Sequence, residues 1–219
     1  MNRIARGVIT ATAIATVALG AAACSSNKSS STPAASSTSA AAPLADIPAL
    51  SGQSTAVALD SNFVAALGTL KLTPGVIGTA KLTNGSLVFP ITGGNVKYFK
   101  PGSVSPYVVG DIKHDGSGFS LTGGATKVSL TNFDIDPGAS KLYGDVAVNG
   151  KSAATHALLF GLNGNTLKPL QTSGNTAILE GTQVQVSQVA ADLLNSTFKT
   201  TAVKGGLLVG IAKITVNTK

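Results

Sequence analysis

A chain of 219 residues with 43% hydrophobic content carries enough apolar material for one domain with a real core, which excludes a wholly disordered protein. With no Trp, three Tyr and seven Phe, that core must be filled mainly by Val, Leu, Ile and Ala. The formal charge is +7, yet Arg3 and Arg6 are the only arginines and the lysines are scattered singly, which argues against the arginine-led contacts of a nucleic-acid binder.

Residues 1–6 are basic, residues 7–20 mildly apolar, and Ala21-Ala22-Ala23 precede the single cysteine, Cys24. This is the layout of a secretory signal, too short and too weakly hydrophobic for a convincing membrane span. Residues 1–23 are therefore expected to be a cleaved signal peptide. The small residues ahead of Cys24 resemble the lipobox of bacterial lipoproteins, with Ala21 where that family usually has Leu. The resemblance implies lipidation of the Cys24 thiol and an anchor, through N-terminal acyl groups, on the outer face of the cell membrane. Ordinary cleavage after Ala23, leaving a free thiol, is the competing reading. Residues 24–43 then form a tether of small polar residues, which bury too little area to offset the entropy of ordering.

The folded domain is expected over residues 44–219. Residues 55–59 alternate with a small-residue face and predict a strand. Asp60 stands at an N-cap position before a short helix over 61–68, with Phe63, Val64 and Leu67 on its apolar side. Asn84-Gly85, flanked by alternating residues, predicts a hairpin. Strands are expected over 107–113, 119–122, 127–136 and 141–148, with turns at 114–118, at 137–140 and at Asn149-Gly150. Residues 182–186 alternate again. Ser187 is a candidate cap for a second helix over 188–198, whose apolar positions include Val189, Ala190, Leu193 and Leu194. The strand–helix–strand plan thus recurs, either by duplication or as two similar solutions. Local hairpins and two short peripheral helices make the expected class α+β, predominantly antiparallel sheet or roll, with no glycine-rich phosphate loop after any strand.

Few residues offer chemistry. The histidines are His114 and His156, no GxSxG elbow is present, and an acylated Cys24 cannot act as a nucleophile, so no enzymatic activity is expected. Metal binding needs three or four convergent ligands, and Asp134, Asp136 and Asp145 lack calcium-loop spacing; no metal and no cofactor is expected. Asp134 and Asp136, just ahead of Pro137-Gly138, fit turn capping as well as any site. Tyr98, Phe99, Tyr107 and Phe119 gather the larger rings near His114, either as core or as the wall of a ligand surface. Tyr98, Tyr107, His114 and Phe119 are the candidate ligand-binding residues.

The segments NGSLVFPITGGNVKYFKPGSVSPYV (84–108), GDIKHDGSGFSLTGG (110–124), VSLTNFDIDPGASKLYGDVAVNG (128–150) and LLVGIAKITV (207–216) resemble actinobacterial, mycobacterial-type surface lipoprotein antigens. The middle segments are also similar to corynebacterial surface domains that bind haem. That likeness implies a tyrosine ligand supported by a histidine, for which Tyr98 or Tyr107 with His114 are the residues available. The expected function is a cell-surface lipoprotein with a non-enzymatic binding or interaction domain for an unknown cell-surface partner. Carriage of a lipid or other hydrophobic ligand is the first alternative, and haem binding the second.

Overall fold

The structure, a computed structural model, describes residues 41–219. The expectations for Cys24 and the signal peptide lie outside the described residues. Thirteen strands and two helices follow in order: β1 (Ala45–Ile47), β2 (Gln53–Leu59), α1 (Ser61–Thr69), β3 (Thr73–Gly78), β4 (Lys81–Thr83), β5 (Ser86–Pro90), β6 (Gly93–Tyr98) and β7 (Val108–Gly123). Then come β8 (Thr126–Asp136), β9 (Lys141–Val148), β10 (Lys151–Asn163), β11 (Gln171–Ser173), β12 (Thr176–Val186), α2 (Gln188–Phe198) and β13 (Leu208–Asn217). A 3-10 turn, Gly164–Thr166, follows β10.

All strand ladders are antiparallel and belong to one sheet, ordered β1-β6-β7-β8-β9-β10-β12-β13-β2-β5-β4, with β3 on β7 and β11 on β12. The sheet curls until its two ends meet. β3 lies against β7 and β4 against β5, yet only Thr79 and Ala80 join β3 to β4. Likewise only Ile91 and Thr92 join β5 to β6; the Ile91 amide donates to Gln53 O and the Thr92 amide to Lys113 O. The interior of this roll holds the core. The class is α+β, a curled antiparallel sheet with two short helices, as expected.

Local chemistry accounts for the punctuation. Asn84-Gly85 and Asn149-Gly150 both take positive φ at the two positions, the backbone of a tight hairpin turn whose twist suits the flanking strands. Asp60 accepts from the amides of Asn62 and Phe63 at the start of α1, and Ser187 from that of Ala190 at the start of α2. The helix faces differ from expectation. Phe63 and Leu67, four residues apart, face the core while Val64 is half-exposed; in α2 the buried side is Ala190, Ala191 and Leu194, and Val189 points out. The two strand–helix–strand units also differ in topology: β12 and β13 pair directly, whereas β3 pairs with β7 and not with β2.

The expected turn at 114–118 is corrected by the structure. β7 runs unbroken through it, and the extra residues form a bulge, since His114 pairs with Phe133 and Gly118 with Thr131. Inward positions are Ile112 and His114 before the bulge, then Ser117, Phe119 and Leu121 after it, so the parity of the strand changes there. A parity break with Asp-Gly-Ser-Gly inside it has the same sequence appearance as a turn. β8 and β10 are bulged at the same level, at Asn132–Phe133 and Thr155–His156. The amides of the bulges are satisfied laterally: Gly116 N–H donates to Asn132 Oδ1 (2.9 Å), Asn132 Nδ2 to Asp145 Oδ2 (2.8 Å), and His156 N–H to Asp145 Oδ1 (3.0 Å). These bonds, Asn132 first, hold the Asp145 carboxyl below its ordinary value.

Candidate functional site: an apolar cavity inside the roll

One half of the roll is not filled by side chains. It encloses a cavity of about 540 Å³. One wall is the edge of the sheet, with Ala45 and Ile47 of β1 and Val96 and Tyr98 of β6; the opposite wall is β12, β13 and β2, with Ala177, Ala212 and Val57 among its residues. Ile135 of β8 and Leu142 of β9 form the floor, and the segments 105–108, 137–140 and 162–170 surround the open end. Small inward residues leave the space: where β2, β12 and β13 face it they present Ala and Val more often than anything larger. No Asp, Glu, Lys, Arg or His lines the cavity. Its polar groups are hydroxyls and amides, chiefly Tyr98, Tyr107, Ser105, Ser140, Thr182 and Asn165. Apolar walls with a few polar groups are the ordinary make-up of a small-molecule site, and the volume falls in its usual range of about 300–1,000 Å³.

Tyr98 and Tyr107 meet edge to face at 6.0 Å between ring centroids, Tyr98 buried and Tyr107 half-buried. Burial, followed by the neighbouring Tyr98, pushes the Tyr107 phenol above its ordinary pKa. The Tyr107 phenol therefore stays protonated at neutral pH, and both tyrosines place their side chains on the cavity wall.

His114 and Phe119 lie elsewhere. His114 is 1% exposed in the adjoining core, where Nε2 meets Thr55 Oγ1 at 2.9 Å and Nδ1 meets Phe133 O at 3.3 Å. Burial pushes its pKa down to about 4, against the smaller opposing effects of the Phe133 carbonyl and the Asp115 charge. A neutral imidazole donates with one nitrogen only, so Nδ1–H pointing at the Phe133 carbonyl leaves Nε2 to accept from the Thr55 hydroxyl. Phe119 packs among Phe133 and Phe160 at centroid distances of 6.1 and 6.4 Å. Thus two of the four candidates, the tyrosines, line the cavity, and the other two belong to the packing behind it. The main cavity residues missed in the sequence, such as Val57, Ala177 and Ala212, are small apolar positions on alternating strands; the small face of residues 55–59 was their only trace.

The carboxylates form no common centre. Asp136 Oδ1 accepts from the Ala139 amide and so caps the 137–140 turn. Asp134 faces Lys113 and His156 on the outside of the sheet, and His156 stacks on Tyr143 at 4.6 Å. No group of three or more metal-ligating side chains converges among the described residues.

No protein-family model matches this sequence, and no curated protein does. Solved structures do. The C-terminal domain of HtaA from Corynebacterium glutamicum superposes with a TM-score of 0.54 at 15% identity, over 77% of this chain and 98% of that one. A domain-swapped dimer of a histidine-to-alanine variant of the same domain gives 0.48 at 17% identity, over 72% and 89%. The N-terminal domain of HtaA gives 0.47 at 10% identity, over 78% and 98%. The fold is therefore that of the C-terminal domain of HtaA, and the likeness to corynebacterial domains expected from the middle segments is present in the architecture.

Proposed function

We propose that this is a non-enzymatic binding module of the cell envelope that holds a hydrophobic ligand in the cavity of its roll. The observation that carries the reading is the cavity itself: about 540 Å³, apolar, without a charged lining residue. A void of that size forfeits the dispersion contacts its walls would otherwise make, and filling it with apolar atoms restores them. The lining hydroxyls have no acid or base beside them in the cavity to activate them, which favours binding over chemistry. Tethering through Cys24 would keep the site at the membrane surface, where lipids are at hand. Its support is the run of small residues before the lone cysteine and the polar segment after it.

Intact mass spectrometry of the protein purified from its own envelope fraction tests both parts. Mass retained under native conditions and lost on denaturation identifies the cargo. A covalent acyl mass on a chain beginning at Cys24 establishes the anchor. A mature protein without acyl mass would overturn the anchor, and absence of any apolar cargo that also cannot be added back would overturn the binding reading.

Haem is the second reading, favoured by the presence of Tyr98 and Tyr107 on the cavity wall and by the sequence likeness to haem-binding surface domains. It lacks the supporting histidine at that place, since both ring nitrogens of His114 are engaged in the core. Titration with haemin decides it. A Soret band that shifts in Tyr98→Phe or Tyr107→Phe supports tyrosine ligation; an unchanged spectrum of free haemin refutes it.

A further inference from the structure

We propose that the cavity takes a single unbranched alkyl chain end-on, and that a phenylalanine cluster at its inner end measures the length of that chain. The inference rests on the reading of the cavity as an apolar-ligand site and specifies its ligand. Three apolar spaces lie in series along the inside of the roll. The large cavity shares Thr55, Val57, Ile135, Leu142 and Val184 with a second space of about 30 Å³. That second space shares Phe119 and Phe160 with a third, also about 30 Å³, which lies beneath α1 and α2 against Phe63 and Leu193. The interior is thus a track that begins wide and narrows at a neck, where aromatic rings close it off from the third space.

The rings form a connected stop. Phe89 meets Phe133 edge to face at 5.1 Å, and Phe133 meets Phe119 and Phe160 at 6.1 and 6.5 Å. The polar side chains beside them, His114 and Thr55, bond to one another and present no free group to a ligand entering the neck. A rigid ring system is confined to the outer space, whereas the end of a chain can advance into the neck until it touches Phe119 and Phe160. A polar head then stays near Tyr107, Ser105, Ser140 and Asn165 at the open end. Each methylene moved from water into the track strengthens binding about fourfold, until the terminal methyl meets the rings.

The test is competitive native mass spectrometry of the full mature protein, stripped of endogenous ligand, with a homologous series of saturated fatty acids from decanoic to docosanoic. The wild-type affinity rises about fourfold per methylene and then reaches a plateau. In Phe160→Ala the plateau moves to longer acids, and the acids just beyond the wild-type plateau gain about fourfold per added methylene. In Val184→Phe, which narrows the neck, it moves to shorter ones. Should Phe160→Ala fail to fold by circular dichroism, Phe160→Leu and Val184→Phe make the same comparison. A plateau at one length in all folded variants overturns the ruler. Binding of a compact apolar dye but of no acid overturns the chain while leaving the apolar site standing; binding of neither removes the site as well.

Discussion

β8 passes through both halves of the roll, and its inward residues change character on the way. Ile135 faces the cavity, Phe133 stands at the neck, Leu130 borders the small third space, and Val128 lies in solid core. The two halves share one continuous sheet, the same ladders and the same curl. They differ in the size of what points inward: Ala45, Ala177, Ala212, Val57 and Val96 on the open side, against Phe89, Phe119, Phe133 and Phe160 on the closed side. Four of the seven phenylalanines of an aromatic-poor chain are thus concentrated at one level of the structure. The stacked bulges of β7, β8 and β10 lie at that level too, and switch which residues face inward. A half-filled roll is therefore a matter of side-chain volume and parity, with the backbone common to both halves.

Truncations should expose this difference most strongly. Phe133→Ala removes a ring from dense packing and is expected to cost about 3–5 kcal/mol in urea unfolding, while Ile214→Ala, on the cavity wall, should cost less than about 2 kcal/mol because its neighbours already border a void. Equal losses would erase the distinction between the halves.

Acid should strike the closed half next. The folded state holds His114 neutral with a pKa of about 4, whereas in the unfolded chain it titrates near its ordinary 6.5. Between those values the unfolded state binds the extra proton, so stability is complete above about pH 6.5 and declines as pH falls towards 4. At about 1.4 kcal/mol per pKa unit the loss is about 3 kcal/mol, and it levels off at lower pH. Asp145, held below its ordinary value, adds its own loss only in still more acid solution. Urea midpoints measured across this range should fall for the wild type and fall less for His114→Gln; parallel curves would remove His114 as the cause.

Smaller effects sharpen the account of the boundary. Asn132→Ala strips the partner from the exposed Gly116 amide at the bulge and should cost about 0.5–1.5 kcal/mol, with faster hydrogen exchange at Gly116. Asp46→Ala cuts an exposed pair with Lys97 on the cavity lip at 3.1 Å and should change stability by less than about 1 kcal/mol. A large loss there would mean that the three-residue β1 contributes more than an edge strand should.

Much of this architecture was legible locally. The Asn-Gly hairpins, the Asp60 and Ser187 caps, the bounds of α2 and the extents of β8 and β9 all follow from residues within a few positions of one another. What failed did so for stated reasons. The bulge in β7 broke alternation and passed for a turn, which hid that His114 faces the core. β10, with three register shifts, shows no alternation to find. The cavity was the least legible feature, because it depends on which small residues face one another across β1, β6, β12, β13 and β2, strands far apart in the chain. Tyr98 and Tyr107 were found as rings, but nothing local separates them from Phe119, which packs in the core.

The most direct test of an apolar site inside the roll is titration of the purified, delipidated protein with a solvent-sensitive apolar dye, set beside Ala212→Phe, whose added ring projects into the cavity. The account predicts saturable binding by the wild type that is lost in a folded Ala212→Phe variant. Undiminished binding by that variant, or none by the wild type, would contradict it.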